Sequence, residues 1–260
     1  MFAMSEPTLL DAITAPGGLS VLFQPIYAIK EQTLTLHALE ALTRGPAGTN
    51  VHRADVLFEY ARRKGAEVEV DHLCIALALH EVSTLPMQPV ISLNVHASTL
   101  ERDVDFPRFL FDACAAASVE PSRLILELIE QQRFWDEARF LRTLVQLRRA
   151  GVRIALDDVG QGYSNHRLIA EIHPEIVKVD RYFVNRSRDS DATLAAIESI
   201  VVLARRLHSS VVAEGVETMA DLRRVCSLGI DLVQGYLFAR PVSARCVVQR
   251  LKELTPTVVH

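Results

Sequence analysis

The stretch "SVLFQPIYAIKEQTLTLHALEAL", residues 20 to 42, holds two apolar, β-rich runs separated only by "KEQT". A parallel connection needs a crossover of a dozen residues or more, so this short link predicts an antiparallel hairpin. Further along come the runs "PVISLNV", "RLILELIE", "RIALDD", "EIVKVD", "SVVAEGV" and "DLVQGYLF". Between runs lie amphipathic stretches such as "FPRFLFDACAAASV", "DEARFLRTLVQLRRAG" and "DATLAAIESIVVLARRLH", whose apolar residues recur at three and four. Such alternation marks repeated β-α units around a parallel sheet, and eight runs match the count of a closed barrel. The fold class is therefore α/β: an eight-stranded barrel made irregular by one antiparallel strand.

Composition narrows the function. The chain of 260 residues is 49% hydrophobic and 23% charged, ordinary for a globular protein with a sizeable core. An α/β barrel fills that length as one unit, and no linker, low-complexity tract or fixed-period repeat divides the sequence. Residues 21–260 read as a single domain preceded by an N-terminal extension, residues 1–20. A formal net charge of -4 provides no basic field for DNA or RNA, so an anionic partner must be held by local chemistry. The four cysteines lack CxxC spacing and read as small core residues in a reduced compartment. No run approaches the roughly 18 to 20 apolar residues of a membrane helix, and the N-terminus lacks a basic n-region. A cytoplasmic location is expected.

In a parallel barrel the C-terminal strand ends form one face, where such proteins place their chemistry. Polar residues interrupt the apolar runs at or near those ends: Glu40, Asn94, Glu127, Asp157, Asp158, Lys178, Glu214 and Gln234. A single acid there is commonly a helix cap or a solvated loop residue, and Lys178 alone reads as a partner for Asp180. The set is different, because carboxylates crowded at one mouth repel one another unless protons or cations neutralise them. Oxygen donors without His or Cys suit Mg²⁺ or Mn²⁺ rather than Zn²⁺. Five carboxylates and Asn94 suffice for two ions sharing one acid, an arrangement that clamps both oxygens in phosphoryl displacement. In "RIALDDVGQGYSN", residues 153 to 165, Asp157 and Asp158 point to opposite faces while the strand continues. They are expected to converge where strand gives way to loop, with Gly160 and Gly162 supplying the turn.

Taken in order, "LHALEALTR" after "FQPI", then "SLNV", "LELIE", "LDDVGQGYSN", "VKVDRYFV", "VVAEGVET" and "VQGYLFARPV" resemble the EAL-domain cyclic di-GMP phosphodiesterases from about Phe23 to about Val242. The resemblance implies a modified TIM (β/α)₈ barrel that opens one phosphodiester of cyclic di-GMP to linear pGpG with two Mg²⁺ or Mn²⁺ ions. It implies that Glu40, Asn94, Glu127 and Asp157 hold one ion, and Asp157, Asp158 and Glu214 the other. Lys178 would bind or activate the nucleophilic water, with a pKa pushed down by the neighbouring cations, and Gln234 would position that water. Gln24 and Arg44 match substrate-contacting positions, and Glu130 matches the acid that anchors the loop after Asp158. The resemblance also implies a homodimer. Departures are Val159, Gln161 and Asn165 in that loop, His96 for a common Ser, and Gly45 for a common Trp. The alternative function is a cyclic di-GMP receptor that has kept the pocket and lost turnover, but none of the expected ligands is missing.

Overall fold

The structure is a computed structural model that describes residues 8–30, 33–129, 136–159 and 165–253. Eight strands close into one barrel in chain order. They are β1 (Ser20–Lys30), β2 (Thr33–Arg44), β3 (Ile91–Val95), β4 (Leu124–Leu128), β5 (Arg153–Val159), β6 (Ile176–Val179), β7 (Ser210–Ala213) and β8 (Leu232–Val233). Each of the eight apolar runs contains one of these strands. The short link after Lys30 joins β1 and β2 as an antiparallel hairpin, and β1 is antiparallel to β8 as well. The remaining neighbours from β2 to β8 pair in parallel.

The helices described are α1 (Leu9–Thr14), α2 (Ala54–Lys64), α3 (Glu67–Ser83), α4 (Ala97–Arg102), α5 (Phe106–Ala117), α6 (Glu137–Arg149), α7 (Asn165–Ile172), α8 (Arg181–Arg186), α9 (Asp191–Arg206), α10 (Met219–Ser227) and α11 (Ala244–Glu253). The long apolar-periodic stretch between β2 and β3 breaks at Gly65, whose φ of 66° ends α2 in the left-handed conformation that glycine adopts without a Cβ clash. Within the segment expected as an N-terminal extension, α1 buries Ile13 against Val51, Leu57, Ala61, Val70 and Cys74. Cys74 and Cys114 are buried as expected, whereas Cys226 is half-buried and Cys246 exposed. None of the described helices is long and apolar enough to cross a membrane.

Two apolar layers position the mouth. The larger one fills the space between barrel and helices. The smaller lies inside the barrel: Ile26, Ala28, Ala38, Ile125, Ala155, Ile176, Val212 and Leu232, with Val90 packed against them. Side chains two residues apart on a strand share a face. Stepping two residues towards the mouth from Ala38, Ile125, Ala155, Ile176, Val212 and Leu232 reaches Glu40, Glu127, Asp157, Lys178, Glu214 and Gln234. On β1, which runs the other way, Ile26 is matched by Gln24, and on β3 Val90 leads to Ser92 and then Asn94. The polar ring is thus the next layer of the barrel interior above an apolar plug.

Beyond β7, Thr218 and Asp221 form a capping box on α10, with the Asp221 carboxylate accepting from the Thr218 N–H at 3.0 Å. Asp221 is fully buried and also accepts from Arg188 Nε at 2.8 Å and Nη2 at 2.7 Å. Burial alone would raise its pKa, but the Arg188 and Thr218 hydrogen bonds outweigh it and hold the carboxyl at about 2. A depressed folded-state pKa stabilises above the unfolded value of about 3.9 and loses that contribution as pH falls through the folded value. Asp221→Asn should therefore cost on the order of 2 kcal/mol near neutral pH, with the gap from wild type closing between about pH 4 and about pH 2 in denaturant titrations. A gap independent of pH would assign the loss to packing instead.

Candidate active site

Lys178 occupies the centre of the ring and is 1% exposed. Its Nζ lies 2.5 Å from Glu127 Oε2, 2.6 Å from Glu214 Oε1, 3.2 Å from Asp157 Oδ1 and 3.6 Å from Glu40 Oε1. The four acids come from β2, β4, β5 and the residue after β7, so one ammonium gathers half the barrel. Burial pushes the lysine pKa down, yet the charges of Asp157, Glu127, Glu214 and Glu40 overcome it and hold the group well above the ordinary lysine range. The sequence-based expectation of a depressed Lys178 pKa concerns the site with two cations bound; without them the surrounding acids set the local field. Asp180 is not its partner, because that carboxylate caps α8 by accepting from the Tyr182 N–H at 2.8 Å.

One cation among so many acids leaves an excess of negative charge. Desolvation, with Glu40 beside it, pushes Glu127 up to about 8 against the pull of Lys178. Desolvation and the charges of Asp157 and Asp180 push Asp158 up to about 7. Glu214 rises well above the usual carboxylate range, first through desolvation. Among the described residues, Asp157, Asp158 and Glu214 form the one group of three or more acidic, His or Cys side chains whose ligand atoms all lie within 4.8 Å of one another.

Asp157 and Asp158 do converge, but by a different device from the one expected. They lie inside β5, where the register with β6 shifts between Leu156 and Val159, and Asp158 has a φ of 51°. A bulge with its residue in the left-handed region cancels the strand's alternation, and Asp tolerates that conformation better than most residues. The positive φ therefore falls on the acid itself. Gly160, Gly162 and Glu130, expected to shape and anchor the following loop, lie outside the described residues.

The other candidates are divided. Asn94 Nδ2 donates to Glu40 Oε1 at 3.3 Å, and Glu127 accepts from Ser92 Oγ on the side away from Lys178. Gln234 Nε2 donates to Glu40 Oε2 at 2.5 Å and to Gln24 Oε1 at 3.2 Å, which turns its Oε1 the other way. That oxygen is buried and has no hydrogen-bond partner among the described residues. Gln24 joins the ring, with its own Nε2 donating to the Ala239 carbonyl at 3.0 Å. Arg44 does not: its guanidinium folds back onto the Thr43 carbonyl at 2.9 Å and the Leu42 carbonyl at 3.4 Å.

Two cavities flank the ring and share Glu40, Leu42 and Asp157. One, of 590 Å³, runs past Asn94 and His96 to Phe58, Glu59 and Arg62 on α2. The second, of 220 Å³, is walled by Lys178, Glu214, Gln234, Gln24, Arg181 and Tyr236, among others. Sequence reasoning missed Ser92, Arg62 and Arg181, and also the clamp around His96. There the His96 N–H donates to Asp71 Oδ2 at 2.9 Å, His96 Nδ1 lies 2.8 Å from Asp71 Oδ1, and Thr99 Oγ1 donates to the same carboxylate at 2.6 Å. This buried knot ties α3 to the turn just after Asn94.

The donor set fits a hard divalent cation. It offers oxygen alone, it carries more negative charge than Lys178 balances, and it includes a buried acceptor on Gln234 still to be satisfied.

Comparison with known proteins now decides the family, because the sequence profile of the EAL domain matches residues 7–241. The chain belongs to the EAL domain family. The cyclic di-GMP phosphodiesterase RocR of Pseudomonas aeruginosa is 37% identical to this EAL chain over 160 residues, 60% of this chain and 40% of RocR. Among solved EAL structures, the P. aeruginosa MucR phosphodiesterase in complex with cyclic di-GMP aligns with a TM-score of 0.78 and 28% identity, covering 89% of this chain and 94% of that one. A manganese and cyclic di-GMP complex of Klebsiella pneumoniae BlrP1 aligns at 0.77 and 29%, covering 89% and 58%. The chain spans less than half the length of the curated relatives it matches.

Carboxyls raised to about 7 and about 8 hold protons in the folded state that an unfolded chain has released above about pH 4. Their stabilising contribution is full below that value and is lost as pH rises through the folded pKa values. In EDTA, melting temperature should fall between about pH 5 and about pH 8, and Mn²⁺ should raise it more at the upper end. Asp157→Asn should lose most of the Mn²⁺ effect. An Mn²⁺ shift equal in wild type and variant would remove Asp157 from the ligand set.

Proposed function

We propose that this EAL chain is a metal-dependent phosphodiesterase that opens one phosphodiester of cyclic di-GMP to linear pGpG. The observation that carries the reading is the convergence of Asp157, Asp158 and Glu214 beside a buried, charged Lys178. Support comes from the family, from relatives named cyclic di-GMP phosphodiesterases, and from solved EAL structures in complex with cyclic di-GMP and manganese or calcium. Glu40, Asn94, Glu127 and Asp157 would hold one Mg²⁺ or Mn²⁺, and Asp157, Asp158 and Glu214 the second. Bound there, such a pair supplies Lewis-acid stabilisation of the charge that builds on an attacked phosphodiester and lowers the pKa of water.

The chain's own residues supply the rest. Lys178, whose Nζ stands among four of these acids, binds or helps activate the water in this reading. Glu214, whose Oε1 lies 2.6 Å from Lys178 Nζ, is in this reading both a ligand of the second ion and a catalytic residue. Gln234 offers its buried Oε1 to orient the water, and its Nε2 keeps Glu40 in place. Gln24 stiffens Gln234 from the antiparallel strand. Arg44 could contact substrate only after leaving its backbone carbonyls. A homodimer and a cytoplasmic location belong to the same reading, as does the division into an extension of residues 1–20 and a domain of residues 21–260.

Purified protein with Mn²⁺ should convert cyclic di-GMP to a linear dinucleotide in a chromatographic assay. Asp157→Ala and Glu40→Ala should each reduce turnover by on the order of 10²–10³ or more. Lys178→Ala should lower kcat by on the order of 10²–10³ while calorimetry still detects cyclic di-GMP binding in Ca²⁺. Tight binding with no product, under conditions where an active EAL enzyme turns over, would replace this reading with that of a receptor.

A further inference from the structure

We propose that Arg181 binds the second phosphate of the cyclic dinucleotide, the one that is not cleaved; the inference rests on the function proposed above. A cyclic dinucleotide presents two phosphodiesters. One belongs at the acid ring, and the other needs a counter-charge elsewhere in a cleft whose charged lining residues are mostly acids.

Few cations are free to provide it. Lys178 faces the 220 Å³ cavity but is buried and engaged by four carboxylates. Arg62 lines the larger cavity, and Glu59 holds its guanidinium through two hydrogen bonds of 2.8 and 2.9 Å. Arg44 is folded onto its own backbone and lines neither cavity. Arg181 lines the smaller cavity, is exposed, and has no ion pair or side-chain hydrogen bond among the described residues. An unpaired guanidinium at the rim of an anion site offers a planar fork that matches two phosphate oxygens.

The backbone holds this arginine where it stands. It is the first residue of α8, three positions after Lys178, and its base packs against Gly215, the residue after Glu214. Gly215 has a φ of 64°, and a Cβ there would come within 2.4 Å of Arg181 Cβ. Any other residue at 215 would push Arg181 off the wall of the cavity. The glycine therefore has a packing role beside the metal-binding acid: it lets the arginine-bearing helix start close to the strand end.

The test compares a substrate with two phosphates against one with a single phosphate. Arg181→Gln should weaken cyclic di-GMP binding in Ca²⁺ by about tenfold or more in calorimetry and raise KM in Mn²⁺ similarly, with kcat within about threefold of wild type. Hydrolysis of bis(p-nitrophenyl) phosphate, which has one phosphate, should change by less than about twofold. Arg181→Lys should recover part of the loss, since charge returns without the fork. Equal losses on both substrates would place Arg181 at the reacting phosphate, and unchanged cyclic di-GMP binding would remove it from the site; either overturns the proposal. Wild-type protein that neither binds nor cleaves cyclic di-GMP would instead overturn the function reading, and this inference with it.

Discussion

A buried ammonium ringed by four carboxylates is the constraint from which the barrel mouth takes its form. Removing an ammonium and the acids around it from water is costly, and the cost is offset only if these groups face one another at short range. Glu40, Glu127 and Asp157 reach Lys178 from three different strands and Glu214 from the residue after a fourth, so the attraction also fixes how those strands are staggered at the top of the barrel. The same arrangement overshoots neutrality. Desolvation, added to the charges of neighbouring acids, raises the carboxyl pKa values at Glu127, Asp158 and Glu214.

The architecture was legible because periodicity carries it. Each strand announced itself as an apolar run, and the four-residue link between the first two runs was too short for anything but a hairpin. The polar ring was legible for a related reason: an acid, amide or lysine two residues beyond an inward apolar residue must share its face. Asp158 escaped this logic. Its inward aim depends on a bulge and a left-handed φ, which alternation cannot reveal.

Other features were hidden because they depend on long-range placement. Arg44 matches a substrate-contacting position by its place after Glu40, yet nothing local says whether a guanidinium will reach into a cleft or fold onto its own chain. Ser92 looked like an ordinary strand residue until β4 brought Glu127 beside it. The Asp71 clamp on His96 joins residues 25 apart from a helix and a strand end, and no motif links them.

The antiparallel strand has one more effect. Closure of the cylinder rests on the short pairing of Tyr27 with Val233 and Ala28 with Leu232, helped by the bridge from Phe23 to Val242. Joining chain segments about two hundred positions apart is the most expensive loop the polypeptide forms, so this seam has the least incentive to zip before the other strands are in line. The Gln24 to Gln234 hydrogen bond spans that seam and joins residues 210 apart. The acceptor that Gln234 offers to the cleft is therefore aligned only when the last stave is in place, so completing the cylinder and completing the chemistry are one event.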